Sequence, residues 1–298
     1  MDKKQENLNL INNFIEYLKV EKRCSFHTLV AYQADLSQFN NFLLKTYDLL
    51  VIDLKFTLAR SFLVELISQK ISNRSIARKL TTIKSFYKFL IKEQIIDFSP
   101  VVNLQAPKTE KRLPQFIKQS DMFKLYDRSC FSKDFSGFRD YMIINLFYKT
   151  GIRLSEMINL KENDVSKREI KVTGKRNKQR IIPISKALKE EINDYINLKK
   201  DNLILSNNYL FVTNKGNKMY EKFVYRKVNH YLSAVSSQNK TSPHILRHTF
   251  ATHMLNNGAD LNAIKEILGH ESLSATQIYT HNSFKKLKNI HKQAHPRG

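Results

Sequence analysis

"REIKVTGKRNKQRIIPIS", residues 168–185, is the stretch of this chain that reads most plainly as β-structure. "EIKV" and "RIIPI" are short runs rich in β-branched residues, and "TGKRNKQ" between them supplies a turn, so the spacing predicts a β-hairpin. On both sides the pattern changes. Apolar residues recur every three or four positions, as on helices with one buried face. Seven Gly and six Pro in 298 residues are few. The expected fold class is therefore mainly α with a small β-sheet.

Upstream, four helices are expected in the first hundred residues. Their apolar stripes are Ile11, Phe14, Ile15 and Leu18; then Leu29, Tyr32, Leu36, Phe39 and Leu43; a shorter "FTLARSFLVELISQ"; and Ile76, Leu80, Ile83, Tyr87 and Leu90. Arg74, Arg78 and Lys88 fall largely off the last stripe. They suit either a solvated face or one that tracks phosphates. The pattern breaks in "SPVVNLQAPKTEKRLPQFIKQS" (99–120), where Pro100, Pro107 and Pro114 stop helices and favour extended backbone. The expected organisation is a four-helix N-terminal domain over 1–99, a basic linker over 100–118, and a larger helical domain with the hairpin over 119–298. Such a pair reads as a clamp around something anionic. Downstream, "SGFRDYMIINLFYKTG" should end at Gly151, and "KALKEEINDYINLKK" returns to helix. Further helices are expected near 219–235, 243–257, 260–268, 274–281 and 283–293. "YLFV" (209–212) is a candidate third strand.

Charge narrows the partner. Fifty Lys+Arg against 27 Asp+Glu leave a net +23. The surplus is uneven: the first 110 residues hold 16 basic and 11 acidic residues, the remaining 188 hold 34 and 16. A bias this large points to a polyanion. Cys24 and Cys130 stand alone, which excludes a disulfide framework and a cysteine metal site. The first residues lack the apolar run of a signal peptide, and no stretch approaches the roughly 18 apolar residues of a membrane span. A cytoplasmic protein without membrane contact is expected.

Four segments carry candidate chemistry. In "HILRHTFATH" (244–253), Pro243 suits a first helical turn, and His244, Arg247 and His248 share one face at i, i+3 and i+4. A zinc pair is one reading. Arg247 between the two histidines disfavours it electrostatically, and no HExxH supplies a general base. His248 and His253 are expected to satisfy buried hydrogen bonds instead. In "LGHESLSATQIYTHN", Gly269 ends a helix, His270 sits at the break, and Tyr279 rides on a short helix begun by Ser274 and Gln277. In "TGIRLSEMINL", Arg153 precedes Glu156 by three residues, the spacing of a surface pair. At the hairpin tip Lys175 follows Gly174. Singly, each signal also fits ordinary packing or solvation.

In this order and spacing the set Arg…Lys…His-x-x-Arg…Gly-His…Tyr resembles the active-site set of the tyrosine recombinases, the phage integrase family. "TGIRLSE", "TGKRNKQRIIPI", "HILRHTFATHML" and "LGHESLSATQIYTH" carry the resemblance. "SFHTLVAYQADLSQF" and "RSIARKLTTIKSFYKFL" look like the family's N-terminal core-binding (SAM-like) domain. Overall length and the ending "HPRG" look most like the Xer-type enzymes. Arg176 departs from the glycine many relatives carry, which could stiffen the turn that delivers Lys175.

The resemblance implies a metal-independent DNA strand-transferase without a cofactor. Arg153 and Arg247 would grip the non-bridging oxygens, Tyr279 would attack phosphorus to leave a 3′-phosphotyrosine, and Lys175 would protonate the leaving 5′-oxygen. His244 and His270 would take the tyrosyl proton or position the phosphate, and Glu156 would hold Arg153. It implies a double-stranded DNA recombination site, and a homo- or hetero-tetramer with a paralogous recombinase on two duplexes. A DNA translocase is a further candidate partner. In "SFKKLKNIHKQAHP", Phe284, Leu287 and Ile290 form a short stripe suited to a neighbouring subunit. The expected role is Xer-type resolution of chromosome dimers at cell division, favoured by a compact length with no arm-binding domain ahead of Asn7. Type IB topoisomerases share the chemistry, but the N-terminal helical domain looks like a recombinase clamp; the alternatives are an integrase of a phage or conjugative element and a non-catalytic DNA-binding architectural module. The last has no need of Tyr279.

Overall fold

The hairpin strands form where the sequence predicts them, with helices before and after them in the chain. In the computed structural model, β1 (Glu169–Thr173) pairs antiparallel with β2 (Gln179–Pro183), with Ile170 opposite Ile182 and Val172 opposite Arg180. The structure describes residues 2–108, 115–174, 178–203, 207–236, 241–269 and 293–294. The chain divides into two compact units, Met1–Arg112 and Leu113–Gly298.

The first unit holds four helices: α1 (Lys3–Val20), α2 (Phe26–Tyr47), α3 (Phe56–Ser68) and α4 (Asn73–Lys92). Serines cap α2 and α4, as Ser25 and Ser72 accept from the N–H groups of Thr28 and Ser75. The apolar stripes meet inside. Phe14 packs edge-on against Phe86, Phe39 does the same against Phe62, and all five predicted positions of α4 are buried. Arg74, Arg78 and Lys88 are exposed, but Arg78 pairs with the buried carboxylate of Asp35 on α2, beside Lys79 at 2.9 Å. Val101 and Leu104 belong to this core.

The second unit is built on α6 (Phe135–Thr150), buried nearly all round, against which α8 (Lys186–Asn202), α9 (Glu221–Val235) and α10 (Pro243–Asn256) pack. The short α5 (Gln119–Tyr126), α7 (Leu154–Asn159) and α11 (Leu261–Leu268) are its further named helices among the described residues. Ile117 lies in this core, and its N–H donates to Thr249 Oγ1 at 2.9 Å. The inward strand face carries Ile170, Val172 and Ile182.

One expectation about the strands fails. "YLFV" is not a third strand: Tyr209 and Val212 make single bridges, to Lys161 and Lys218, and among the described residues the sheet has two strands. Leu210, Phe211 and Val212 are all buried, so the segment lacks the alternation that a half-buried strand keeps. The predicted helices over 274–281 and 283–293, and the stripe of Phe284, Leu287 and Ile290, lie outside the described residues. Ala294 is buried in its own unit and accepts a bond from Asn257 Nδ2 at 2.8 Å. Among the described residues no helix is long and apolar enough to cross a membrane.

Candidate active site

The last carbonyls of a helix lack intrahelical partners. At the end of α11, three arginines from three other elements supply them. Arg180 on β2 donates from Nε to the Ile267 carbonyl at 2.8 Å. Arg247 on α10 donates from Nη2 to Leu268 at 2.6 Å, and Arg153, just ahead of α7, from Nη2 to Gly269 at 2.6 Å. Cations here also complement the negative end of the helix dipole. Asp260 starts α11 by accepting from the N–H groups of Asn262 and Ala263. Gly269 ends it with φ +66°, the left-handed conformation that suits glycine, and an added Cβ would stand 2.9 Å from Arg180 Cδ.

Arg247 reaches the site because Pro243 opens α10 and places the arginine on its buried side. Its Nη1 donates to the Gly151 carbonyl at 2.5 Å, tying the end of α6 to the end of α11. Burial, then the charges of Arg153 and Arg180, push its pKa down to about 9, with Glu156 opposing. The guanidinium stays charged at neutral pH.

Glu156 joins the other two cations. It is the third residue of α7 and reaches back to the Arg153 N–H at 2.9 Å, half of a capping box. Its Oε1 accepts from Arg153 Nη1 at 2.8 Å and from Arg180 Nη1 at 2.5 Å; its Oε2 accepts from Arg180 Nη2 at 2.8 Å. Burial alone would raise the carboxyl pKa. The bonds and charge of the two arginines outweigh it and bring the pKa down to about 2. Three guanidiniums around one carboxylate leave the pocket positive, a setting for an anionic group.

Arg153, Glu156 and Arg247 are thus brought together, and Glu156 holds Arg153. Lys175, His270 and Tyr279 lie outside the described residues, as does Arg176. Gly174 and Gly269, which precede Lys175 and His270, are described. An added Cβ on Gly174 would stand 3.8 Å from Arg153 Nη1, and the Gly269 carbonyl is bonded to Arg153 Nη2. Gly174 and Gly269 both lie beside this guanidinium. His244 is exposed at the start of α10. His253 is buried, with Nδ1 2.9 Å from the Tyr148 hydroxyl, and burial lowers its pKa. His248 corrects the sequence reading: it is exposed, because Thr249 and Phe250 take the buried side of that turn. Arg180 is the residue that sequence reasoning passed over. Strand alternation held the signal, since it shares the inward face with Ile182 and sits opposite Val172.

Known proteins resemble this chain in sequence and in fold. Residues 115–286 match the model of the phage integrase family, and residues 11–94 match the phage integrase N-terminal SAM-like domain. The tyrosine recombinase XerC of Staphylococcus epidermidis ATCC 12228 is 38% identical over all of this chain and 98% of its own length. That of Bacillus subtilis 168 is 36% identical, with 97% of each chain covered. The fold matches the XerH recombinase bound to its difH substrate before cleavage, with TM-score 0.73, 19% identity and 98% and 96% coverage. It also matches a λ integrase tetramer bound to a Holliday junction, with TM-score 0.70, 18% identity and 91% and 79% coverage. The chain belongs to the phage integrase family, the tyrosine recombinases.

Proposed function

We propose that this chain cuts and rejoins DNA at a specific site with Tyr279 as its nucleophile. The observation that carries this reading is the convergence of Arg153 and Arg247 on the end of α11, the helix from which the chain runs on to His270 and Tyr279. A phosphodiester is an anion, and the two forks offer donors to its non-bridging oxygens. Those bonds strengthen as charge builds in the transition state, which is binding that accelerates the step.

In the proposed step, the Tyr279 oxygen forms a bond to phosphorus and the bond from phosphorus to the 5′-oxygen breaks. Lys175 gives its proton to the departing 5′-oxygen. The phenol, with an ordinary pKa of about 10, passes its proton to His244 or His270. The 3′-phosphotyrosine conserves the bond energy, so attack by a 5′-hydroxyl reverses the step without ATP. The positive charge is borne by side chains, in the place a metal ion takes in other phosphoryl-transfer sites.

The biological role we propose is Xer-type resolution of chromosome dimers, by four protomers on two duplexes, identical or paired with a paralogue. The relatives named XerC support it by matching nearly end to end, and the λ integrase tetramer supports the assembly. The test is a duplex nicked beside the scissile phosphate, built on the sequence recovered from DNA covalently trapped on this protein in its host. The unaltered protein should form a covalent adduct and Tyr279→Phe none. Site-specific binding without any adduct would leave the architectural module as the better reading.

A further inference from the structure

We propose that Arg180 is a positioning residue for strand cutting, acting through Glu156 on the guanidinium of Arg153. The inference rests on the reading that Arg153 and Arg247 take the scissile phosphate.

All three nitrogens of Arg180 are engaged within the protein, Nε by the Ile267 carbonyl and Nη1 and Nη2 by Glu156, and its side chain is only 7% exposed. It therefore does not reach the phosphate itself. Its effect lies in what it does to Glu156. An ionised carboxylate has about four acceptor positions. Here all four are filled, two by Arg180 and two by Arg153, one of them the Arg153 backbone N–H. Without Arg180, a carboxylate with a 1% exposed side chain would hold two open acceptor positions and keep Arg153 as its ion-pair partner. The donors already beside it belong to Arg153. That guanidinium would turn further onto Glu156 and away from the Gly269 carbonyl and the phosphate. Arg180 thus shares the carboxylate and leaves Arg153 with charge to spend on substrate.

A second contact acts in the same direction. Arg180 packs beneath Gly269, where an added Cβ would meet its Cδ at 2.9 Å, and bonds the carbonyl two residues earlier. The carbonyls of 267, 268 and 269 are held in succession by Arg180, Arg247 and Arg153. Loss of the first loosens the register on which the other two depend.

The experiment uses the full chain and the nicked duplex above, with either the ordinary phosphate or a neutral methylphosphonate at the scissile position. The methylphosphonate asks less of the cations. Arg180→Gln should slow adduct formation on the phosphate by about ten- to a hundredfold, the scale of a misplaced catalytic group. Gel-shift binding of the uncut site should hold, and the defect should shrink severalfold on the methylphosphonate. Arg180→Lys keeps a cation without the fork and guards against misfolding; its smaller loss should shrink on the methylphosphonate in the same way. Full activity in both variants, or a loss equal on the two substrates, would overturn the proposal and leave a purely structural arginine. No adduct from the unaltered protein would instead overturn the reading of function, and the proposal with it.

Discussion

Asp35 in the first unit and Glu156 in the second are both buried carboxylates held among cations, and the two clusters are built differently. Asp35, with a 1% exposed side chain, accepts from Arg78, Lys79 and Thr82, all within five residues of one another on α4. Glu156, equally buried, serves Arg153 ahead of α7 and Arg180 on β2, and both arginines run on to the end of α11. The first cluster joins two helices. Its cations come from a single helix face, and breaking it affects how α2 and α4 hold each other. The second gathers four separate elements, α7, β2, α10 and α11, and its cations retain donors beyond those the carboxylate uses. A buried ion pair is weak evidence for stability by itself. Distribution separates the two: charges drawn from one helix fix a packing, whereas charges drawn from several elements build a pocket.

The contrast can be broken most forcefully at Arg247. Arg247→Gln should slow adduct formation by about 10²- to 10³-fold, the scale of one lost oxyanion donor. It should also leave the Gly151 and Leu268 carbonyls without this donor, and lower the melting temperature. Single-turnover adduct kinetics and thermal melts read the two effects. A variant with unimpaired kinetics would remove the pocket from the reaction.

Acid sharpens the comparison. The Glu156 carboxyl lies near 2 in the folded protein against an ordinary 4.5, so it stabilises the folded state above about pH 4.5. That contribution, on the order of 3 kcal/mol, is lost as pH falls from there toward 2. Urea unfolding at pH 7 and pH 3 should show a shallower acid loss in Glu156→Gln than in the unaltered protein. Equal losses would mean that the arginines do not hold the carboxylate.

The smallest effect is expected at the other cluster. Arg78 is half exposed, so Asp35→Ala should cost about 2 kcal/mol rather than the full price of a dry pair. The change should appear as faster amide exchange in α2 and α4. Adduct formation by the bound complex should stay within about threefold, as expected for sites that share no partners. A larger loss of cutting would tie the two clusters together and erase the distinction.

By itself the sequence determined the helices, the hairpin and the chemical repertoire. Apolar spacing set the stripes of α1, α2 and α4, β-branched runs set β1 and β2, and Pro243, Gly151 and Gly269 marked ends that the structure keeps. These signals are local, because a helix face or a strand face is fixed by residues a few positions apart. Tertiary structure alone decided that Arg180 meets Glu156 across 24 positions and that Arg153 meets Gly269 across 116. It also decided that His253 turns inward and His248 outward, and that "YLFV" bends through single bridges. Spacing along the chain cannot encode such meetings. They follow from which faces pack together once the cores around Phe86 and Phe147 have formed, and from the need of the α11 carbonyls for donors where their own helix ends.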